Sequence, residues 1–167
     1  MTKARTFWPI LLALLLADCA TKRVVESTLS PSAPPQPFIG DVVRLRLAYN
    51  TGAATGISFG AHSREIIAVL ALVMLALLAR LYRATPDRDW KLGGASALLI
   101  AGALGNLWDR VRSTQGVVDF IDVGVGATRF WTFNVADMGV TVGAALMALL
   151  LARGESGESA PAGRVAA

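Results

Sequence analysis

Two apolar stretches in the C-terminal half of the chain each carry a carboxylate at a place where hydrocarbon, or its edge, is expected. Asp119 sits in Gly116-Val-Val-Asp-Phe-Ile-Asp122, and Asp137 in Phe133-Asn-Val-Ala-Asp137, 18 residues further on. A segment of that length can turn back and deliver both carboxyl groups to one point. Two carboxyls in contact do not both ionise easily, and their protons leave in steps that belong to the pair. One can then act as a base toward water while the other, still protonated, polarises a peptide carbonyl, the division of labour of an aspartic protease. The same residues have a structural reading of equal standing. Asn134 followed three residues later by an acid is nearly a capping box, and a carboxylate in a first helical turn is favoured by the helix dipole. Asp119 and Asp122 could equally be solvated loop acids.

The solvent around these acids follows from composition. The chain has 167 residues, 54% of them hydrophobic and 17% charged, more apolar side chain than a soluble domain of this length hides. A membrane is the expected solvent. The formal charge of +4 is what the positive-inside rule produces, so nucleic-acid binding is not invoked. The single cysteine, Cys19, excludes an intramolecular disulfide, and the single histidine, His62, leaves a zinc site short of nitrogen ligands. No metal or cofactor is expected.

Four spans are expected, at about residues 7–26, 62–82, 91–108 and 133–152. The first could be mistaken for a cleavable signal with Cys19 as a lipidated residue, but Asp18 stands where a processing site wants a small neutral residue, and three apolar segments follow. The second is built on 14 apolar residues, 66–79, and needs its flanks to cross a bilayer. Lys3, Arg5, Arg80, Arg83, Arg88, Lys91 and Arg153 flank the spans on one side, which places both termini in the cytoplasm and the segments 27–63 and 109–132 outside. Prolines make residues 30–37 an exposed turn or loop, and alternation from Val43 to Tyr49 predicts a small β element at the membrane surface. Residues 116–122 are expected to form a re-entrant or amphipathic segment before the last helix. Residues 1–153 form one domain on this reading, and residues 154–167, rich in Gly, Ser, Ala and Glu, a disordered cytoplasmic tail.

Charges within spans usually pair or act. Asp18 and Lys22, four apart with the acid first, form a same-face ion pair for which a structural role suffices. Asp109 and Arg110 at the end of the third span could be an interfacial anchor, with Arg110 placed to tie an outer loop to the bundle. Gly139 and Gly143 make a small-xxx-small face, and Gly94, Gly102 and Gly105 lighten the third span, so close packing within the bundle is expected in preference to a homodimer. Pattern alone leaves a proton-coupled transporter using Asp18, Lys22 and Asp137, or a non-catalytic scaffold, fully competitive.

Five blocks in order narrow this choice. Asp18-Cys-Ala-Thr-Lys22, Asn50-Thr-Gly-Ala-Ala54, Gly105-Asn-Leu-Trp-Asp-Arg110, Gly116-Val-Val-Asp-Phe120 and Phe133-Asn-Val-Ala-Asp137 lie in register with the four spans. In these blocks the chain resembles the lipoprotein signal peptidases, or signal peptidase II family, over about residues 18–143. The resemblance implies that Asp119 and Asp137 are the catalytic pair, and that Asp18, Lys22, Asn50, Gly52, Asn106, Arg110 and Asn134 support it or contact substrate, with Asp109 and Asp122 secondary. It further implies an aspartic endopeptidase of the bacterial inner membrane, without a cofactor and acting as a monomer among membrane phospholipids. Its substrates would be prolipoproteins carrying a diacylglyceryl group, cut just before the lipidated cysteine on the periplasmic side. Cys19, Thr55 and Thr132 depart from the residues common in that family, which bears on substrate preference and not on the reaction.

Overall fold

The segment richest in small residues is the helix Trp90–Arg112, where Gly93, Gly94, Ala97, Ala101, Gly102 and Gly105 are all buried. Lipid gives helices no hydrophobic reason to associate, so close backbone approach at small residues supplies the contact instead. This helix is accordingly the centre of the molecule. The computed structural model describes residues 1–52 and 60–158. Among these are four helices, α1 (Lys3–Thr28), α2 (Ser63–Ala84), α3 (Trp90–Arg112) and α4 (Val135–Glu158), and α3 packs against the other three. Gly94 meets Thr6 and Ile10 of α1, while Gly139 and Gly143 of α4 lie against Leu14, Leu98 and Leu99. The small-residue face of α4 is thus filled by this chain's own α1 and α3.

Gly102 sits at a tight point of the α3–α4 contact. A Cβ there would collide with the Ala136 carbonyl oxygen and with Val140. Gly102→Val is therefore expected to destabilise the α3–α4 contact by about 1–3 kcal/mol, read as a lower Tm in detergent. An unchanged Tm would mean that the two helices do not meet at this point.

Among the described residues, two helical segments are long and apolar enough to cross a membrane, Ser63–Ala84 with mean hydropathy 2.2 and Val135–Arg153 with 2.0. In α2 only Ser63 is buried, and Val69, Leu70, Leu72, Val73, Met74 and Leu77 are all exposed. An apolar surface of that extent belongs against lipid or a partner. Helix α1 exposes Trp8, Leu12 and Leu16 but buries Asp18 and Lys22 against its neighbours.

The expected β element is present and is larger than expected. A four-stranded antiparallel sheet, β1 (Gln36–Ile39), β2 (Val43–Asn50), β3 (Val117–Val125) and β4 (Thr128–Arg129), runs in sequence order. The stretch before the last helix is therefore the long inner strand β3, not a re-entrant or amphipathic segment. Residues 117–120 are buried on both faces, so their apolar run is continuous. Periodicity cannot then separate a strand from a buried non-strand segment. Pro37 also lies in a strand and not in a loop, on the exposed edge strand β1 where a missing amide costs no ladder bond. Helix α4 continues to Glu158, so residues 154–158 are helical and not a disordered tail, as no proline interrupts the amide ladder there. The rest of that expectation, residues 159–167, lies outside the described residues.

Candidate active site

Strand pairing sets the first half of the site. Ala48 faces Asp119 and Asn50 faces Val117 across β2 and β3, which leaves Asn50 and Asp119 diagonal neighbours on one face, within reach of each other's side chains. Asn50 Nδ2 donates to Asp119 Oδ2 at 3.1 Å. Gly116, with φ +106°, makes the turn into β3 in a region that residues with a side chain avoid, and its α-carbon lies against the Asn50 carbonyl.

The second half arrives through a hairpin. After β3 and β4 the chain returns to β3, where the Phe133 carbonyl accepts from the amides of Phe120 (2.9 Å) and Ile121 (2.8 Å) and the Phe133 amide donates to the Ile121 carbonyl (3.0 Å). Asn134 is thereby laid beside Asp119 as α4 begins. Its Nδ2 donates to Asp119 Oδ1 at 2.7 Å and lies 3.1 Å from Asn106 Oδ1 and 3.2 Å from the Val118 carbonyl.

Asp137 caps the helix that carries it and keeps one oxygen free of the cap. The Asp137 amide donates to Asn134 Oδ1 at 2.9 Å, and Asp137 Oδ2 accepts from the Asn134 amide at 3.2 Å, a reciprocal capping box. Its second oxygen, Oδ1, accepts from Asn106 Nδ2 at 2.7 Å. One oxygen thus starts the helix while the other faces the site. Asn106 and Asn134 bond to each other, each bonds to one of the acids, and Asn134 also caps the second. The two carboxyls are in this way tied to one amide pair.

Their environments differ. Asp119 is 3% exposed, and its pKa is pushed up to about 7, first by burial and then by the Asp137 carboxylate, against the opposing hydrogen bonds from Asn50 and Asn134 and the charge of Lys22. Asp137 is only partly buried, so water has access to it. A carboxyl whose proton is held by burial beside one that water reaches is the asymmetry that acid–base hydrolysis needs. Among the described residues no three His, Cys, Asp or Glu side chains gather as a metal site would require.

Arg110 closes the site from α3. Its guanidinium donates to the carbonyls of Asn106 (3.1 Å) and Gly52 (2.9 Å), and its charge acts on Asp119, Asp137 and Asp109. The Gly52 amide in turn donates to Asn50 Oδ1 at 2.9 Å. Asn50, Gly52, Asn106, Arg110 and Asn134 therefore form one connected set with the two acids. Asp18 and Lys22 lie behind it, paired at 2.8 Å. Asp122 points elsewhere and pairs with Arg129 at 3.0 Å.

Asp109 is the residue that sequence reasoning undervalued. It is no interfacial anchor: it is 2% exposed, pairs with Lys22 and Arg112, both at 2.9 Å, and accepts from the Val118 amide. The available signal was a lysine inside an apolar helix, whose three ammonium donors call for more acceptors than one carboxylate neighbour supplies.

The family model described as Signal peptidase (SPase) II matches residues 10–153. The chain belongs to the signal peptidase II family. Among relatives in this family, the lipoprotein signal peptidase of Geobacter metallireducens is 38% identical over 160 residues, covering 93% of this chain and 95% of the relative. That of Treponema denticola is 38% identical over 144 residues, covering 78% and 80%. Two solved structures, each described as a bacterial membrane enzyme determined by the in meso method, share the fold. One, at 2.3 Å resolution, has TM-score 0.79 and 28% identity over 90% of this chain and 89% of its own. The other, at 1.9 Å resolution, has TM-score 0.75 and 31% identity over 85% and 89%. The five signal peptidase II blocks fall on α1, the end of β2, α3, the start of β3 and the head of α4. Ala53, Ala54 and Thr55 lie outside the described residues.

Proposed function

We propose that this chain is the aspartic endopeptidase that cleaves the signal peptide from diacylglyceryl-modified prolipoproteins, just before the lipidated cysteine, with Asp119 and Asp137 as the catalytic pair. The observation that carries this reading is the joint suspension of both carboxyls from Asn106 and Asn134, with Asp119 held protonated to about pH 7. Asp137, in the first turn of α4 and less buried than its partner, takes the role of base, since water reaches the less buried of the two. It takes a proton from water as the oxygen attacks the scissile carbonyl carbon, and Asp119 gives its proton to the carbonyl oxygen. The tetrahedral diol then collapses. Asp137 returns its proton to the leaving amine, the carbon–nitrogen bond breaks, and Asp119 recovers a proton from the diol hydroxyl. Asn50, Gly52 and Arg110 border the two acids and are the groups to hold substrate backbone or lipid headgroup oxygens.

All four helices span the inner membrane on this reading, in a single domain of residues 1–153 that works as a monomer among phospholipids. The cluster of Lys3, Arg5, Arg80, Arg83, Arg88, Lys91 and Arg153 supports cytoplasmic termini and a periplasmic site. A substrate anchored by acyl chains, each buried methylene contributing about 0.8 kcal/mol, meets a site at that rim at the right depth.

The pH dependence follows from the raised pKa of Asp119. Its proton is present below about 7 and lost above it, so kcat should fall as pH rises through that value. A rate that stays flat from about pH 6 to about pH 9 would remove Asp119 from the role of acid. The reading as a whole is tested with purified enzyme in detergent and one prolipoprotein, with and without its lipid. Cleavage before the cysteine of the lipidated form alone is expected. Absence of cleavage of either form, together with proton-driven uptake in vesicles, would replace the peptidase by a transporter.

A further inference from the structure

Lys22 lies in the middle of the bundle with its Nζ 2.8 Å from Asp18 Oδ2 and 2.9 Å from Asp109 Oδ2, all three residues being at most 3% exposed. Each acid also has a second partner. Asp18 Oδ1 accepts from the backbone amide of Ala136 at 2.9 Å, and Asp109 Oδ2 accepts from the backbone amide of Val118 at 3.3 Å. Ala136 immediately precedes Asp137, and Val118 immediately precedes Asp119. Two carboxylates on different helices thus hold the backbone amides of the residues just before the reacting ones, and one ammonium holds both carboxylates. The same Nζ reaches Asn106 Oδ1 at 3.2 Å, whose amide nitrogen donates to Asp137.

Building on the catalytic reading of Asp119 and Asp137, we infer that Lys22, Asp18 and Asp109 form a brace that sets the distance between those two carboxyls. These are positioning residues, since none of them bonds to a carboxyl of the pair. Stability is a poor explanation for the cluster. Removing buried charges from water is costly, and exchanging such a triad for apolar residues of similar volume is often neutral or stabilising. What the apolar version lacks is acceptors for two particular amides. Gly105 fits the same reading, because a Cβ at that position would press on Asp18 Oδ2. The backbone of α3 is bare where the brace passes. Arg112, paired with Asp109 at 2.9 Å and Glu26 at 3.1 Å, balances the charge on the outer side.

The test uses the full-length enzyme in detergent with a lipidated prolipoprotein. The variant Asp18→Leu with Lys22→Met and Asp109→Leu leaves no charge of the brace behind. It should remain folded, with a cooperative thermal transition and a KM within about threefold, while kcat falls about 100-fold, the scale of loss from a misplacement of roughly 1 Å. The companion Asp18→Asn with Lys22→Met and Asp109→Asn restores an oxygen to each amide and should recover about tenfold of that loss. A folded apolar variant with unreduced kcat, a loss confined to KM, or an asparagine variant no better than the apolar one would each overturn the brace. If the apolar variant does not fold, Asp109→Asn alone decides. About tenfold lower kcat at unchanged KM and Tm supports the brace, and undiminished kcat overturns it. Asp119→Asn and Asp137→Asn, assayed in parallel, separate the two ideas, because more than about a tenth of the normal kcat in either refutes the catalytic pair itself whatever the brace variants do.

Discussion

Replacing Asp119 or Asp137 by asparagine is expected to lower kcat by roughly 10²–10⁴-fold, the range associated with loss of a general acid or base, while leaving a folded protein. Asparagine has the shape of the carboxyl it replaces and retains one acceptor oxygen. At position 137 that oxygen can still accept from the Asn134 amide, so α4 keeps most of its cap. At position 119 the substitution removes a group that burial and the neighbouring Asp137 already keep protonated to about pH 7, so Tm should be unchanged or higher. Loss of activity with retained Tm locates the defect in proton transfer. The measurement is release of the signal peptide from a lipidated prolipoprotein, scored beside thermal unfolding of the same preparation. A variant at either position with more than about a tenth of the normal kcat would show that its carboxyl takes no part in proton transfer.

The second large effect is expected at Asn134, which is 0% exposed and bonded to both acids. Asn134→Asp keeps the oxygen that caps the Asp137 amide, and aspartate is as good an N-cap as asparagine. It replaces the amide nitrogen that donates at 2.7 Å to Asp119 Oδ1 by a second oxygen. Leaving a buried acceptor without its donor costs about 1–3 kcal/mol, so kcat should fall by roughly 10- to 100-fold at neutral pH. A like charge disfavours the ionised form of its neighbour, so the alkaline fall in rate should move above the unmodified enzyme's value. Asn134→Ser should keep the cap and lose the donor without adding charge, so its alkaline limb should move less. Equal displacement of the limb by both substitutions would mean that charge at position 134 does not reach Asp119.

How much of this was legible in the residues depends on the range over which each feature is decided. The Asp18–Lys22 pair and the Asn134–Asp137 capping box are both as expected, because each is a contact between residues three or four apart on one helix or at its start. The bare face of α3 was also legible, since a run of glycine and alanine has no bulk in any environment. Asp109 was misjudged for the opposite reason. Its partners Lys22 and Val118 lie on α1 and β3, and nothing in the residues around position 109 indicates that these elements meet there. The strand at 117–125 was missed because burial on both faces erases the alternation by which strands are recognised.

Sequence by itself determined the apolar segments and their basic flanks, which charged side chains would be too costly to leave unpartnered, and the local caps and same-face pairs. These depend on composition and on spacings of two to four residues, which backbone geometry turns directly into direction. Tertiary structure alone decided that β3 lies between β2 and the head of α4, that Asn106 and Asn134 join the two acids, and that Lys22 links the peptide units before both of them. Those relations join residues up to 118 positions apart, and such pairs meet only when the packing of all the helices and strands selects one arrangement.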